Sequence, residues 1–112
     1  MEIQNFISEM SFSPNTATQL KGQNIIVTFA GRNRRTVKDE ILVIGAHYDS
    51  DSLPLLSIDD NGSGVVAMLE VARGLADAIV NRKAILHNTI VFVAFDIQRF
   101  EHVMRPYYYV FR

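Results

Sequence analysis

The chain has 112 residues, the length of one small domain, and its 48% hydrophobic content is typical of a packed globular chain. Eleven basic and twelve acidic residues leave a formal net charge of −1, which excludes a nucleic-acid binder that depends on bulk positive charge. The absence of cysteine excludes a disulfide scaffold and a cysteine-based zinc site. The sequence also predicts no membrane span and no signal peptide, because it lacks both a long apolar run and a basic region followed by an apolar stretch at its start.

The first half of the chain predicts two strands. Residues 1–23 are weakly periodic and contain a turn-forming stretch at 11–18, so that helix and strand both stay open before it. Residues 24–30 have the β-branched and aromatic composition of a strand, and the apolar run at 40–45 is typical of a buried strand. The polar segment 31–38 carries four of the eleven basic residues. It predicts a solvated hairpin loop that pairs the two strands antiparallel, with a phosphate or anion site as the alternative.

The second half predicts a strand–helix–strand unit. Residues 46–61 are polar and longer than most connections, which is frequent in functional loops. Residues 64–81 predict a helix with one apolar stripe, and three side chains are candidates to cap its start. The stripe consists of Val65, Leu69, Ala72, Ala76 and Ile79, and the capping candidates are Asp60, Asn61 and Ser63. A second buried strand at 89–95 completes a βαβ unit of an α/β sheet.

The long loop holds the residues that point to chemistry. His47 and Asp49 follow a buried strand, and Asp59 and Asp60 directly precede the helix. Ligands of open α/β sheets bind at the carboxyl ends of strands, and an imidazole with carboxylates at such a place can bind zinc. Asp49 is placed to orient a histidine ligand. The spacing by itself leaves the alternative of ordinary turn aspartates and a hydrogen-bonded histidine.

A glycine motif beside this loop resembles a nucleotide-binding fingerprint. Residues 62–67 fit G-x-G-x-x-A, but that motif follows its strand directly, and here the strand ends about sixteen residues earlier. We therefore expect these glycines to give the backbone room at the start of the helix.

Three segments in order resemble the core of a known family. They are residues 44–50 (IGAHYDS), 59–64 (DDNGSG) and 92–96 (FVAFD). They are similar to the co-catalytic zinc aminopeptidases of metallopeptidase family twenty-eight, whose relatives include glutaminyl cyclases, glutamate carboxypeptidase II and the non-enzymatic transferrin receptors. The resemblance covers about residues 20–100. It implies a three-layer α/β zinc-exopeptidase fold with a mixed sheet, of which residues 1–112 would form only the N-terminal part.

The resemblance also implies roles for individual residues. His47 matches the first terminal zinc ligand, Asp49 matches the carboxylate that holds that histidine, and Asp60 matches the aspartate that bridges two zinc ions. It further implies a substrate that is usually a peptide N-terminus, and a family whose members are often secreted or extracellular.

The sequence departs from the family at two points. Gln98 and Arg99 stand where the family has two glutamates, the general base and a zinc ligand. An amide is no base near neutral pH, and an arginine has no lone pair for a metal. The family's remaining ligands lie further downstream than Arg112.

These departures predict weak or absent zinc binding, no aminopeptidase activity, and association through apolar surface. Two hypotheses stay open: a truncated zinc peptidase, and a non-catalytic binding or structural module derived from the same fold.

Overall fold

The computed structural model describes residues 1–13, 16–50 and 58–97. These residues form four strands and one long helix, with a short irregular turn at Ile58–Gly62 before the helix. The elements are β1 (Glu2–Ser13), β2 (Thr16–Phe29), β3 (Leu42–His47), α1 (Ser63–Val80) and β4 (Ile90–Phe95). The four strands make one mixed sheet, and the predicted α/β class is confirmed.

The strand order in the sheet is β1-β2-β4-β3. β1 pairs antiparallel with β2, β2 pairs antiparallel with β4, and β3 pairs parallel with β4. β3 and β4 are therefore neighbouring parallel strands joined by α1, which confirms the predicted βαβ unit. Of the three layers that were expected, the described residues provide the sheet and the helix on one of its faces.

The predicted antiparallel pairing of the strand at 24–30 with the strand at 40–45 is wrong, because β4 lies between β2 and β3. The basic segment 31–38 is consequently no hairpin loop but a connection that crosses the amino end of β4. Its backbone is hydrogen-bonded there, from Arg32 N–H to Leu86 O and from Asn33 N–H to His87 O, both at 2.9 Å. The strand with the most deeply buried apolar run occupies the centre of the sheet, where both of its edges are paired.

A group of hydrogen bonds around Thr89 fixes this crossing connection to the sheet. The carboxylate of Asp39 accepts hydrogen bonds from the backbone N–H and the hydroxyl of Thr89, at 2.8 and 2.7 Å. The same hydroxyl accepts a hydrogen bond from Gly31 N–H at 3.3 Å. Thr89 is buried, so these bonds provide the partners that its polar groups need away from water.

Within the first 23 residues, for which helix and strand were both open, residues 2–13 and 16–23 are strands. β1 and β2 pair over most of their length, but only residues 25–29 of β2 also pair with β4. The rest of β2 thus forms a two-stranded ribbon with β1. Ile3 and Ile7 are more than half exposed on this ribbon. Because neither face of such a ribbon is fully covered, its sequence lacks the strict alternation of a half-buried strand.

The core lies between α1 and the sheet. Met68 on the helix packs with Ala46 of β3 and Phe92 of β4, and the ring of Phe92 meets that of Phe29 edge-on at 5.6 Å between centroids. Val65, Ala72 and Leu75 of the helix are partly buried against this cluster. The predicted stripe was wrong in one member, because Leu69 is 58% exposed whereas Met68 is only 7% exposed. No helix in the described ranges is long and apolar enough to cross a membrane.

Candidate metal centre

The predicted site residues lie at the carboxyl end of β3. His47 is the last residue of this strand, and Asp60 lies in the turn Ile58–Gly62 that leads into α1. The chain returns at the same edge of the sheet, so that residues thirteen apart in sequence come into contact. His47 Nε2 lies 3.0 Å from Asp60 Oδ1. The structure therefore brings these two predicted ligands together.

Asp49 lies on the other side of the imidazole ring. His47 Nδ1 is 3.1 Å from the backbone oxygen of Asp49 and 3.4 Å from its carboxylate Oδ1. The side chains of His47 and Asp49 are 14% and 13% exposed, whereas that of Asp60 is 54% exposed. The histidine is thus held between a carboxylate that is mostly covered and one that is open to solvent.

The hydrogen-bond capacity of the imidazole limits how this arrangement can be satisfied. Both ring nitrogens of His47 face oxygen acceptors, but a neutral imidazole has one N–H donor. If Nδ1 donates to Asp49, the lone pair of Nε2 points at a carboxylate oxygen. In that tautomer both atoms of the contact offer lone pairs, as two ligands of one metal ion do. This is the orientation in which histidine ligands of zinc are held by a carboxylate or carbonyl behind them.

The turn that carries Asp60 is fixed by hydrogen bonds at the start of α1. Asn61 Oδ1 accepts a hydrogen bond from Gly64 N–H at 3.2 Å, and Asn61 Nδ2 donates a long one, 3.5 Å, to His47 O. The N-cap position itself is Gly62, and of the three candidates Asn61 is the one whose side chain accepts a backbone N–H of the first helical turn; it also ties the helix to β3. A Cβ atom on Gly64 would lie 2.2 Å from Asn61 Oδ1, so this glycine does provide the expected backbone room.

Tyr48 and Asp96 are residues that the sequence prediction did not include in the site. The Tyr48 hydroxyl donates to Gln23 O at 2.7 Å, and Asp96 Oδ2 accepts from Gln23 N–H at 2.9 Å. Partial burial and the negative charges of Asp96 and Asp49 raise the pKa of Tyr48 above its ordinary value, so the hydroxyl remains a donor at neutral pH. Their position directly after parallel strands is the one sequence signal that pointed to them.

The other candidate residues lie apart from this site or outside the described residues. Asp59 is exposed, and its backbone oxygen accepts a hydrogen bond from Ser63 Oγ at 3.1 Å. His87 is exposed near the amino end of β4. Gln98 and Arg99 lie outside the described residues.

The donor set fits one half of a zinc site. Two ligands of a tetrahedral zinc ion are separated by roughly 3.3 Å at ordinary Zn–N and Zn–O lengths, which is close to the 3.0 Å between His47 Nε2 and Asp60 Oδ1. A catalytic zinc has three protein ligands and a water. Within residues 1–13, 16–50 and 58–97, no group of three metal-binding side chains is arranged to hold a metal ion. These residues therefore do not complete the coordination sphere.

The chain is similar to fungal leucine aminopeptidases. It is 37% identical over 103 residues to Leucine aminopeptidase 1 of Aspergillus fumigatus, an alignment that covers 81% of this chain and 25% of that protein. The protein of the same name from Aspergillus niger is 46% identical over 77 residues, which cover 62% of this chain and 18% of that protein. The chain thus spans about a quarter of the length of the first of these relatives, and less of the second.

A bacterial structure is also similar. The crystal structure of an Acidobacteriales bacterium glutaminyl cyclase matches 84% of this chain and 29% of its own, with a TM-score of 0.46 and 20% identity. The sequence model of Peptidase family M28 matches residues 24–97, which include both strands and the helix that carry the site. Because this match covers more than half of the chain, the chain belongs to Peptidase family M28, whose members are generally zinc-dependent.

Proposed function

We propose that this chain provides the first half of the zinc site of an aminopeptidase-type exopeptidase. In this proposal His47 and Asp60 are metal ligands, and Asp49 orients the His47 ring. The observation that carries it is the 3.0 Å contact between His47 Nε2 and Asp60 Oδ1, with oxygen atoms of Asp49 against the other nitrogen of the same ring. The similarity to leucine aminopeptidases supports a peptidase-type function.

The substrate class follows from the same similarity. We propose that a longer form of this protein, with a complete site, acts on the N-termini of peptides. Bound zinc would supply a Lewis acid for the scissile carbonyl. The described residues of this chain would contribute the largely covered imidazole, its orienting carboxylate and the solvent-open carboxylate of Asp60.

We further propose that the chain of 112 residues does not hydrolyse peptides by itself and binds zinc weakly. His47 and Asp60 are two ligands, fewer than a catalytic zinc requires. Gln98 and Arg99 replace the glutamates that the family uses as base and ligand. Loss of a general base typically lowers a rate by about 10²–10⁴-fold.

A non-catalytic binding or structural module is the second candidate. It is favoured by the same replacements at 98 and 99, and by an exposed apolar sheet edge. Among the described residues β3 is one of the two outer strands of the sheet, and Leu42, Val43 and the preceding Ile41 are all more than two-fifths exposed. An exposed apolar edge of this kind favours association with a second chain, which would be visible as a concentration-dependent increase in mass by light scattering.

Zinc titration of the purified chain tests the first proposal. Competition with a chromogenic chelator should show one weak site, and His47→Ala or Asp60→Asn should abolish it. Asp49→Asn should weaken it by about 10–100-fold, as the loss of an orienting partner does. His87→Ala is the matched control, because it removes an exposed histidine far from the site. Zinc binding that is equal in the His47→Ala and His87→Ala variants would contradict the assignment.

Hydrolysis of an aminoacyl p-nitroanilide tests the inactivity. We expect no zinc-dependent release of p-nitroaniline from the wild-type chain. Replacement of both Gln98 and Arg99 by Glu should tighten zinc binding, because it adds a carboxylate ligand to His47 and Asp60. Zinc-dependent turnover that His47→Ala abolishes would show that another group has taken the role of the base.

A further inference from the structure

The backbone of Gln23 lies where β2 loses its neighbour. The pairing of β2 with β4 ends at Ile25 and Ala94, so β4 offers no backbone partners to Gln23 of β2. Two side chains replace them. Asp96 Oδ2 accepts the N–H of Gln23 at 2.9 Å, and the Tyr48 hydroxyl donates to its C=O at 2.7 Å. Both backbone groups are satisfied, as expected for polar groups within a sheet.

Further hydrogen bonds connect these two side chains to three strands. The backbone N–H of Asp96 donates to Oδ1 of the buried Asn24 at 3.1 Å, and Asp96 Oδ1 accepts the N–H of Ile97 at 2.9 Å. The backbone N–H of Tyr48 donates to Phe95 O at 2.8 Å. Tyr48 and Asp96 therefore follow directly after β3 and β4 and bind both of them to β2. We call the three residues Tyr48, Asp96 and Gln23 the Gln23 clasp.

The clasp determines the direction of the two residues beside Tyr48. In extended chain, neighbouring side chains point to opposite sides. Tyr48 reaches toward β2, whereas His47 and Asp49 lie on one side together and contact each other. An untethered Tyr48 could rotate this short segment, and the His47 ring would then lose its alignment with Asp60.

We propose that Tyr48 and Asp96 are positioning residues for the His47–Asp60 pair. They act by holding the backbone of Gln23 and thereby the segment 47–49. The inference concerns the site proposed above as half of a zinc site, but it rests on the geometry of the metal-free chain. Its test is therefore carried out in the presence of a chelator, so that failure of zinc binding and failure of this inference are separate results.

The test is the nitrogen spectrum of the His47 ring. Long-range ¹H–¹⁵N correlation spectra distinguish the two ring nitrogens, and the His47→Ala variant assigns their signals. In the wild-type chain we expect nuclear Overhauser contacts between the His47 ring protons and the Asp60 β-protons, since Nε2 lies 3.0 Å from Oδ1. Tyr48→Phe removes only an oxygen from a side chain that is 41% exposed. In this variant both ring nitrogen signals should shift, and the ring contacts to the Asp60 β-protons should be lost.

A second variant and a matched control complete the experiment. Asp96→Asn keeps one acceptor oxygen where two backbone N–H groups need one each, and it should change the His47 signals in the same direction but less. Thr89→Val removes buried hydrogen bonds at the opposite end of β4 and should leave the His47 signals unchanged. Unchanged His47 signals in both clasp variants would overturn the proposal. An unchanged spectrum in one of them would remove that residue from it, and an equal change in Thr89→Val would show a merely structural effect.

Discussion

Replacing Gly64 by alanine should destabilise the chain, although alanine is the better helix former. A Cβ atom at this position would lie 2.2 Å from Asn61 Oδ1 and 2.7 Å from Asn61 Nδ2, closer than atoms can approach. The Asn61 amide must therefore move, and its bonds to Gly64 N–H and His47 O are lost. The turn that carries Asp60 then loses the hydrogen bonds through Asn61, and the contact of Asp60 with His47 remains its link to β3.

The magnitude follows from a comparison with Gly74. This second helical glycine has no atom within 4 Å of the position that a Cβ would occupy, so Gly74→Ala should stabilise the chain by about 1 kcal/mol through helix propensity alone. Gly64→Ala has at most the same gain, but it loses a helix cap, which costs about 0.5–2 kcal/mol, and a second hydrogen bond worth about 1 kcal/mol. The two variants should therefore differ by about 2 kcal/mol, or roughly 10 °C in Tm for a domain of this size.

Urea and thermal unfolding followed by circular dichroism measure this difference. Asn61→Ala provides the decisive background, because in that variant Gly64→Ala has no amide to displace and should be no worse than Gly74→Ala. Such a double-mutant cycle isolates the contact between the two residues. Equal stabilisation by Gly64→Ala and Gly74→Ala in the wild-type background would refute the role given to Asn61.

Two further predictions concern the packing of the helix and the crossing connection. Met68→Ala should lower the free energy of unfolding by about 2–5 kcal/mol, because it removes a large side chain from the core. Leu69→Ala should change it by no more than about 0.5 kcal/mol, because Leu69 is exposed. Urea unfolding of both variants tests this, and a larger loss in Leu69→Ala would show that the other face of the helix is buried. Thr89→Val should lower the free energy of unfolding by about 1–3 kcal/mol, because the half-buried Asp39 carboxylate and the buried Gly31 N–H then lose the Thr89 hydroxyl as a partner. A urea midpoint equal to that of the wild type would contradict this prediction.

Local sequence patterns were sufficient for the elements that surround the site. The apolar runs at 40–45 and 89–95 and the periodic segment 64–81 predict two buried strands and a helix, because burial on both faces and burial on one stripe leave different spacings of apolar residues. The order strand, helix, strand also predicts that a ligand binds after the carboxyl end of the strand at 40–45. The resemblance of residues 44–50 and 59–64 to the family core then selected His47 and Asp60 from this loop, and the structure brings them to 3.0 Å.

Tertiary structure decided which elements are neighbours. An apolar run shows that a strand is buried but not beside which strand it lies, so the insertion of β4 between β2 and β3 was missed, and with it the crossing of segment 31–38. The buried face of α1 includes Met68 rather than Leu69 because the helix meets a particular set of strands. Tyr48 and Asp96 acquire their role only where β4 ends and leaves the backbone of Gln23 to be satisfied by side chains from elsewhere in the chain. The unpaired backbone groups of Gln23 result from the pairing of segments that are distant in sequence, and the local spacing of apolar residues cannot predict them.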